Sequence, residues 1–190
     1  MISRALLLDK DGTLVENLPF NVDLERIRFM PGAGRAVARL ARAGVRMAVV
    51  SNQPGVAFGY FPESALVGVE RRLHGLFADC GAQLDGFHYC PHHPNASVVR
   101  YRCACRCRKP NAGLIQRALA ALHVDPGEAW MVGDILDDVE AAHAAGCRAI
   151  LFDSGGETEW RTSPLRKPDH VTRRFATVAD IVLGTTRAIA

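Results

Sequence analysis

Asp9 and Asp11 stand two positions apart at the end of the apolar run Leu6-Leu7-Leu8, with Gly12 directly behind them. Two carboxylates at that spacing, beside a glycine that lets the backbone turn, make a hard, oxygen-rich corner suited to Mg2+. A solvated Asp-x-Asp-Gly turn has the same letters, so the rest of the chain decides between the two. Two further apolar runs also stop on short polar residues: 45–50 on Ser51-Asn52, and 128–132 on Gly133-Asp134. Arg108-Lys109 adds positive charge just ahead of a helical stretch. Carboxylates, a hydroxyl, an amide and a lysine are what phosphoryl transfer asks for: a nucleophile, metal ligands and charge clamps. Taken singly, Ser51 reads equally well as a helix cap and Lys109 as a solvated first-turn residue.

A second constellation is built from softer ligands. Cys90-x-His92, a gap, then Cys105-x-Cys107 offers three thiolates and an imidazole, a closed tetrahedral Zn2+ set. Cys103 can stand in for Cys105 or Cys107, and His93 for His92. Clustering of four of the six cysteines in one short segment favours metal over a disulfide framework in a reducing compartment. Cys80 and Cys147 stand apart and read as inert thiols. With no open coordination position, such a zinc is structural: it ties down a long loop, about 90–107, and sets Arg108 and Lys109 at the mouth of the site.

The elements that must position these groups alternate. Residues 6–8, 45–50, 85–89, 128–132 and 147–152 read as strands, and 31–44, 62–79, 111–123, 136–145 and 177–183 as amphipathic helices. Strands alternating with helices of this length argue a parallel sheet with helices on both faces. All strand carboxyl ends then lie on one edge, where ligands bind in open α/β sheets. With no internal repeat or linker, residues 1–190 read as a single domain.

Composition narrows the function classes. Net charge is +3, and the basic residues are scattered, so the chain presents no footprint for nucleic acid or a membrane surface. No apolar stretch approaches a membrane span, and Met1-Ile2-Ser3-Arg4 runs straight into the first strand with no room for a signal peptide. A cytoplasmic, monomeric enzyme acting on a small metabolite is the expectation.

In order along the chain, Asp9-Lys10-Asp11-Gly12-Thr13, Ser51-Asn52, Lys109-Pro110, and Gly133-Asp134 with Asp137 and Asp138 resemble the four motifs of the haloacid dehalogenase-like (HAD) phosphatases. Tyr89-Cys90-Pro91-His92-His93-Pro94 and Cys105-Arg106-Cys107-Arg108-Lys109-Pro110 resemble the zinc-loop branch of that superfamily. The resemblance implies a Rossmann-like three-layer sandwich around a central parallel sheet, without a large cap domain. It implies Asp9 as nucleophile through an aspartyl-phosphate, Asp11 as general acid and base, and Mg2+ held by Asp9, Asp134 and the Asp11 carbonyl. Ser51 is implied to bind a phosphoryl oxygen, Lys109 to neutralise charge and steady Asp9, and Asn52 and Arg108 to read the substrate. It also favours Cys105 and Cys107 over Cys103, because they abut Arg108-Lys109-Pro110, and gives Asp137 and Asp138 supporting roles.

The implied reaction is removal of the 7-phosphate of D-glycero-D-manno-heptose 1,7-bisphosphate, with histidinol phosphate or another small phosphorylated metabolite as the alternative substrate. A zinc-stabilised binding module without activity is a remote third reading. The chain departs from the heptose pattern at Ser51 (threonine is usual), Pro54 (serine), Phe58 (arginine) and Ile135 (lysine). These departures weaken the expected contact with a second phosphate.

Overall fold

The computed structural model describes residues 4–185. The chain runs β1 (Ala5–Leu8), α1 (Ala33–Arg42), β2 (Arg46–Asn52), α2 (Pro54–Ala57), α3 (Ala65–Asp79), β3 (Gly86–Cys90), α4 (Gly113–Leu122), β4 (Ala129–Gly133), α5 (Leu136–Ala144), β5 (Arg148–Phe152), β6 (His170–Thr172) and α6 (Phe175–Leu183). The strands form one parallel sheet in the order β3-β2-β1-β4-β5-β6.

Alternation along the strands divides the core in two, because successive side chains leave opposite faces. Leu6, Leu8, Met47, Val49, Trp130, Val132, Ile150 and Phe152 face one layer, where Val37 and Leu40 of α1, Val69 and Leu73 of α3, and Val178 and Val182 of α6 cover them. Ala5, Leu7, Ala48, Val50, Ala129, Met131, Ala149 and Leu151 face the other, under Ile115 and Leu119 of α4 and Val139 and Ala142 of α5. The strands are apolar on both faces, as a sheet covered on both sides requires. Each such side chain withdrawn from water contributes about 1.5–3 kcal/mol at leucine size. Arg39 of α1 pairs with Asp180 of α6 at 2.6 Å along the outside of the first layer.

The three-layer α/β expectation holds, with local corrections. β2 runs on through Ser51 and Asn52, so both polar residues sit within the strand rather than beyond it. α3 begins at Ala65, three residues later than expected from Pro62, and α6 begins at Phe175, two earlier than Thr177. Two elements carry no periodic signal: α2 is a single turn, and β6 is three largely exposed residues that join the sheet beside β5. Cys147 is buried and Cys80 half-buried, and burial raises both thiol pKa values, Cys147 to about 12, which leaves them inert at neutral pH.

β1 lies between β2 and β4, so strand order reverses at β1. That switch point opens a crevice beyond the strand ends, and Asp9 is the next residue.

Candidate active site

Asp9 is still held by the sheet: its N–H donates to Val132 O of β4 at 2.9 Å. Lys109 arrives from the far end of the long loop after β3 and is 2% exposed. Its Nζ donates to Asp9 Oδ1 at 2.5 Å and to Val50 O at 2.9 Å. It also lies 2.6 Å from Asp138 Oδ1, an ion-pair contact poorly aligned for a hydrogen bond. Asn52 delivers it there: Asn52 Oδ1 accepts the Lys109 N–H and Asn52 Nδ2 donates to the Lys109 carbonyl, each at 3.0 Å. Burial opposes the charge on Lys109, but Asp138 and Asp9 outweigh it and its pKa is raised. The lysine is a permanent cation in the floor of the site.

Asp9, Asp134 and Asp138 each direct a carboxylate oxygen into one cluster, all within 4.8 Å of one another. Burial, then Asp9 and Asp138, push Asp134 up to about 7. Burial and Asp9 raise Asp138 to about 6 against the pull of Lys109. One lysine does not balance three buried carboxylates, and a hard divalent cation does, so the donor set fits Mg2+. The backbone leaves room for Asp134: a Cβ on Gly12, whose φ is +78°, or on Gly156 would collide with Asp134 Oδ2. Thr13 Oγ1 donates to Asp134 Oδ1 at 3.3 Å and Ser154 Oγ to its Oδ2 at 3.4 Å.

Asp11 stands apart from that cluster. Lys10 Nζ lies 2.5 Å from its Oδ1 and Gln53 Nε2 donates to its Oδ2 at 3.2 Å. Burial raises its pKa despite Lys10, a shift that suits a proton donor. The same Gln53 amide donates to Ser51 Oγ at 2.9 Å, setting the buried hydroxyl. Asp9, Asp11, Ser51, Lys109, Asp134 and Asp138 line one cavity of about 220 Å³. A larger apolar cavity, about 420 Å³ beside Trp160 and Pro164, contains none of these groups, so size does not mark the site here.

The soft-ligand cluster also closes. Cys90, His92, Cys105 and Cys107 converge, with Cys107 Sγ 3.0 Å from Cys90 Sγ, 3.2 Å from Cys105 Sγ and 3.5 Å from His92 Nδ1. Ligand distances of about 2.0–2.3 Å give a zinc tetrahedron with edges of roughly 3.5–3.8 Å. The imidazole edges to Cys90, 3.6 Å, and to Cys107, 3.5 Å, already match, and the thiols need only spread slightly. Burial and neighbouring thiols raise Cys90; burial also opposes ionisation of Cys105, but hydrogen bonds from Cys107 and the Arg108 N–H lower it. Cys103 is exposed and outside the cluster, and His93 Nδ1 accepts the Asn95 N–H instead. The fold thus brings Cys105, Cys107 and His92 to Cys90 and leaves Cys103 and His93 outside the cluster.

The expected catalytic and metal-ligating residues come together, some in unexpected attitudes, whereas Arg108 is not among the residues lining the catalytic cavity. Asn52, expected to read the substrate, commits its amide to the Lys109 backbone. Asp138, expected as a supporting carboxylate, lies inside the acidic cluster, whereas Asp137 turns outward to Arg166 at 2.9 Å. Arg108 Nη1 is buried with no hydrogen-bond partner among the described residues. Sequence reasoning missed Gln53, Thr13 and Glu63. Glu63 binds the hydroxyls of Tyr89 at 3.1 Å and Tyr101 at 2.7 Å, tying the zinc loop to β3. Gln53 had a signal, since it extends the polar run after Val50; Glu63 had none.

The HAD-hydrolase-like family model matches residues 106–178. A D-glycero-beta-D-manno-heptose-1,7-bisphosphate 7-phosphatase of Haemophilus ducreyi is 38% identical over 157 residues, covering 82% of this chain and 86% of its own. The enzyme of that name from Escherichia coli K12 is 38% identical over 141 residues, 74% of each chain. The D,D-heptose 1,7-bisphosphate phosphatase of B. bronchiseptica, solved with magnesium and phosphate, aligns with a TM-score of 0.77 at 28% identity, covering 96% of this chain and 99% of that one. No helix among the described residues is long and apolar enough to cross a membrane.

Proposed function

The chain belongs to the haloacid dehalogenase-like hydrolases and is a phosphatase, and from that membership we propose that it removes the 7-phosphate of D-glycero-β-D-manno-heptose 1,7-bisphosphate through an aspartyl-phosphate on Asp9. The observation that carries the reaction is the Asp9 carboxylate itself, buried among Asp134 and Asp138 with one oxygen clamped by Lys109. The choice of substrate rests on the likeness to the heptose bisphosphatases.

Asp9 Oδ2 attacks phosphorus while Lys109 holds Oδ1 and keeps the carboxylate from rotating. Lys109 Nζ and Ser51 Oγ take phosphoryl oxygens. Asp11 gives its proton to the departing sugar alkoxide, and the carboxylate left behind takes a proton from the water that attacks the aspartyl-phosphate. Asp9, Asp134 and the Asp11 carbonyl, with Asp138 beside them, would hold Mg2+, which when bound would screen the repulsion between carboxylate and phosphate. Arg108 reads the far end of the substrate, and Asn52 serves it indirectly by positioning Lys109. Cys90, His92, Cys105 and Cys107 would hold Zn2+, which when bound would be structural and fix the loop that ends in Arg108 and Lys109. The enzyme works as a single domain and a monomer in the cytoplasm, on a small phosphorylated sugar, without nucleic acid or membrane.

The test is phosphate release with Mg2+ from the heptose 1,7-bisphosphate, run beside histidinol phosphate and hexose monophosphates. The expected result is the highest kcat/KM on the bisphosphate, with heptose 1-phosphate as product. Preference for histidinol phosphate, or release of the 1-phosphate, overturns the substrate assignment.

A further inference from the structure

Two exposed aromatic rings, Phe20 and Tyr60, and the half-buried ring of Phe58 stand together beyond the sheet edge that carries the catalytic cavity. Phe20 and Tyr60 meet edge to face with centroids 4.7 Å apart, Phe58 lies 5.8 Å from Tyr60, and the His93 ring lies tilted 4.8 Å from Phe58. Tyr60 is 63% exposed and Phe20 46%. Phe20 has φ +55°, a left-handed conformation that a bulky L-residue adopts only when its surroundings insist. A contiguous exposed aromatic patch marks a binding surface more often than an accident of packing.

Its place in the fold indicates the occupant. Phe20 follows β1, Phe58 and Tyr60 follow β2, and His93 follows β3, so the rings border the same sheet edge as Asp9, on its β2–β3 side. On the β4–β5 side, a cleft continues past Ile135 and Gly156 and is lined by Asp137, Glu157 and Glu159. Arg166 in that cleft is paired with Asp137 and Glu140. An anionic ester is repelled from that side. On the ring side stands Arg108, the chain neighbour of Lys109, whose Nη1 has no hydrogen-bond partner among the described residues. The organic part of the substrate therefore lies toward the aromatic side.

We infer that Phe20, Phe58 and Tyr60 form a stacking shelf for the C–H face of the substrate's sugar ring, making this enzyme selective for phosphate esters of ring sugars. The polarised C–H bonds of such a face suit the negative π-face of an aromatic ring. The inference rests on the proposed phosphatase reaction but not on the heptose as its particular substrate.

The experiment compares wild type, Phe20→Ala, Tyr60→Ala and Tyr60→Phe on the heptose bisphosphate, glucose 6-phosphate and acyclic glycerol 3-phosphate. Both alanine variants are at exposed positions, and circular dichroism checks their folding. The expected result is a KM for the ring esters raised about tenfold by each alanine, with kcat retained, glycerol 3-phosphate kinetics unchanged, and Tyr60→Phe close to wild type. Equal losses on ring and acyclic esters, or unchanged KM on the ring esters, overturn the shelf. A wild type that ignores the heptose but keeps a shelf-dependent preference for glucose 6-phosphate over glycerol 3-phosphate overturns the heptose assignment and leaves the shelf standing. A wild type with no preference for ring over acyclic esters overturns the shelf itself.

Discussion

The carboxylate cluster and the thiolate cluster are assembled in opposite ways. Asp9, Asp134 and Asp138 come from the end of β1, the end of β4 and the first turn of α5, regular elements locked into the core. Their positions follow from the sheet, and Lys109 is drawn into them as a partial counter-charge. Cys90 also ends a strand, but His92, Cys105 and Cys107 lie on a loop whose regular structure is one short turn, Val99–Tyr101. The fold places the first cluster and leaves it short of positive charge. In the second, the ligands place the loop, helped by Glu63 between Tyr89 and Tyr101 and by the Val98 N–H on Ala57 O at 2.9 Å. The contrast separates a site that the fold builds for chemistry from one that builds part of the fold.

Breaking Lys109 tests the first half of that contrast most severely. Lys109→Ala strips the charge partner from buried carboxylates, and we expect a loss of about 3–5 kcal/mol in a denaturant titration. We also expect turnover to fall by roughly three orders of magnitude, the scale of losing a preorganised charge-stabilising donor. A variant as stable as wild type would mean that the cluster carries no such strain.

The second half turns on Cys107→Ser. The account expects loss of zinc by atomic absorption, with activity down by about 10–100-fold while the far-UV circular dichroism of the sheet and helices persists. Cys103→Ser, with its exposed side chain outside the cluster, is the matched control and keeps full zinc and full activity. A loss of zinc in the control instead would move the site.

Glu63→Gln sharpens the point, because it touches the loop without touching either cluster. One oxygen bonded to a tyrosine is replaced by a poorer partner, so about 1 kcal/mol of stability goes, with zinc retained.

The smallest effect lies away from both clusters. Asp169 Oδ2 accepts the Ala149 N–H at 2.7 Å and pairs with His143 Nε2 at 3.0 Å. Burial alone would raise its pKa, but those bonds hold it below the ordinary 3.8. A depressed carboxylate pKa contributes stability that is complete above the unfolded value and is lost as pH falls through the folded one. Asp169→Asn should therefore cost stability at neutral pH and show a shallower loss than wild type on acidification below the ordinary carboxylate range.

The contrast also explains what the sequence disclosed. Asp9 and Asp11 were legible because a strand end plus a two-residue spacing is a local signal, and Asp134 repeated it. The Cys-x-His and Cys-x-Cys pairs were legible as ligands, but spacing did not separate Cys105 and Cys107 from Cys103. That choice came from the resemblance, and the geometry agrees with it. Asn52 and Asp138 were found but given other tasks, because their partner, Lys109, reaches them only through tertiary structure. β6 and α2 escaped because three largely exposed residues and a single turn from Pro54 leave no periodicity to read.

The most direct test of the central claim is acid quench of the Mg2+-loaded enzyme during the first turnover, followed by peptide mass spectrometry. The account predicts a transient phosphoryl adduct on Asp9, absent from Asp9→Asn, whose turnover should be abolished with the fold intact. An adduct on another residue, or rapid turnover by Asp9→Asn, would contradict it.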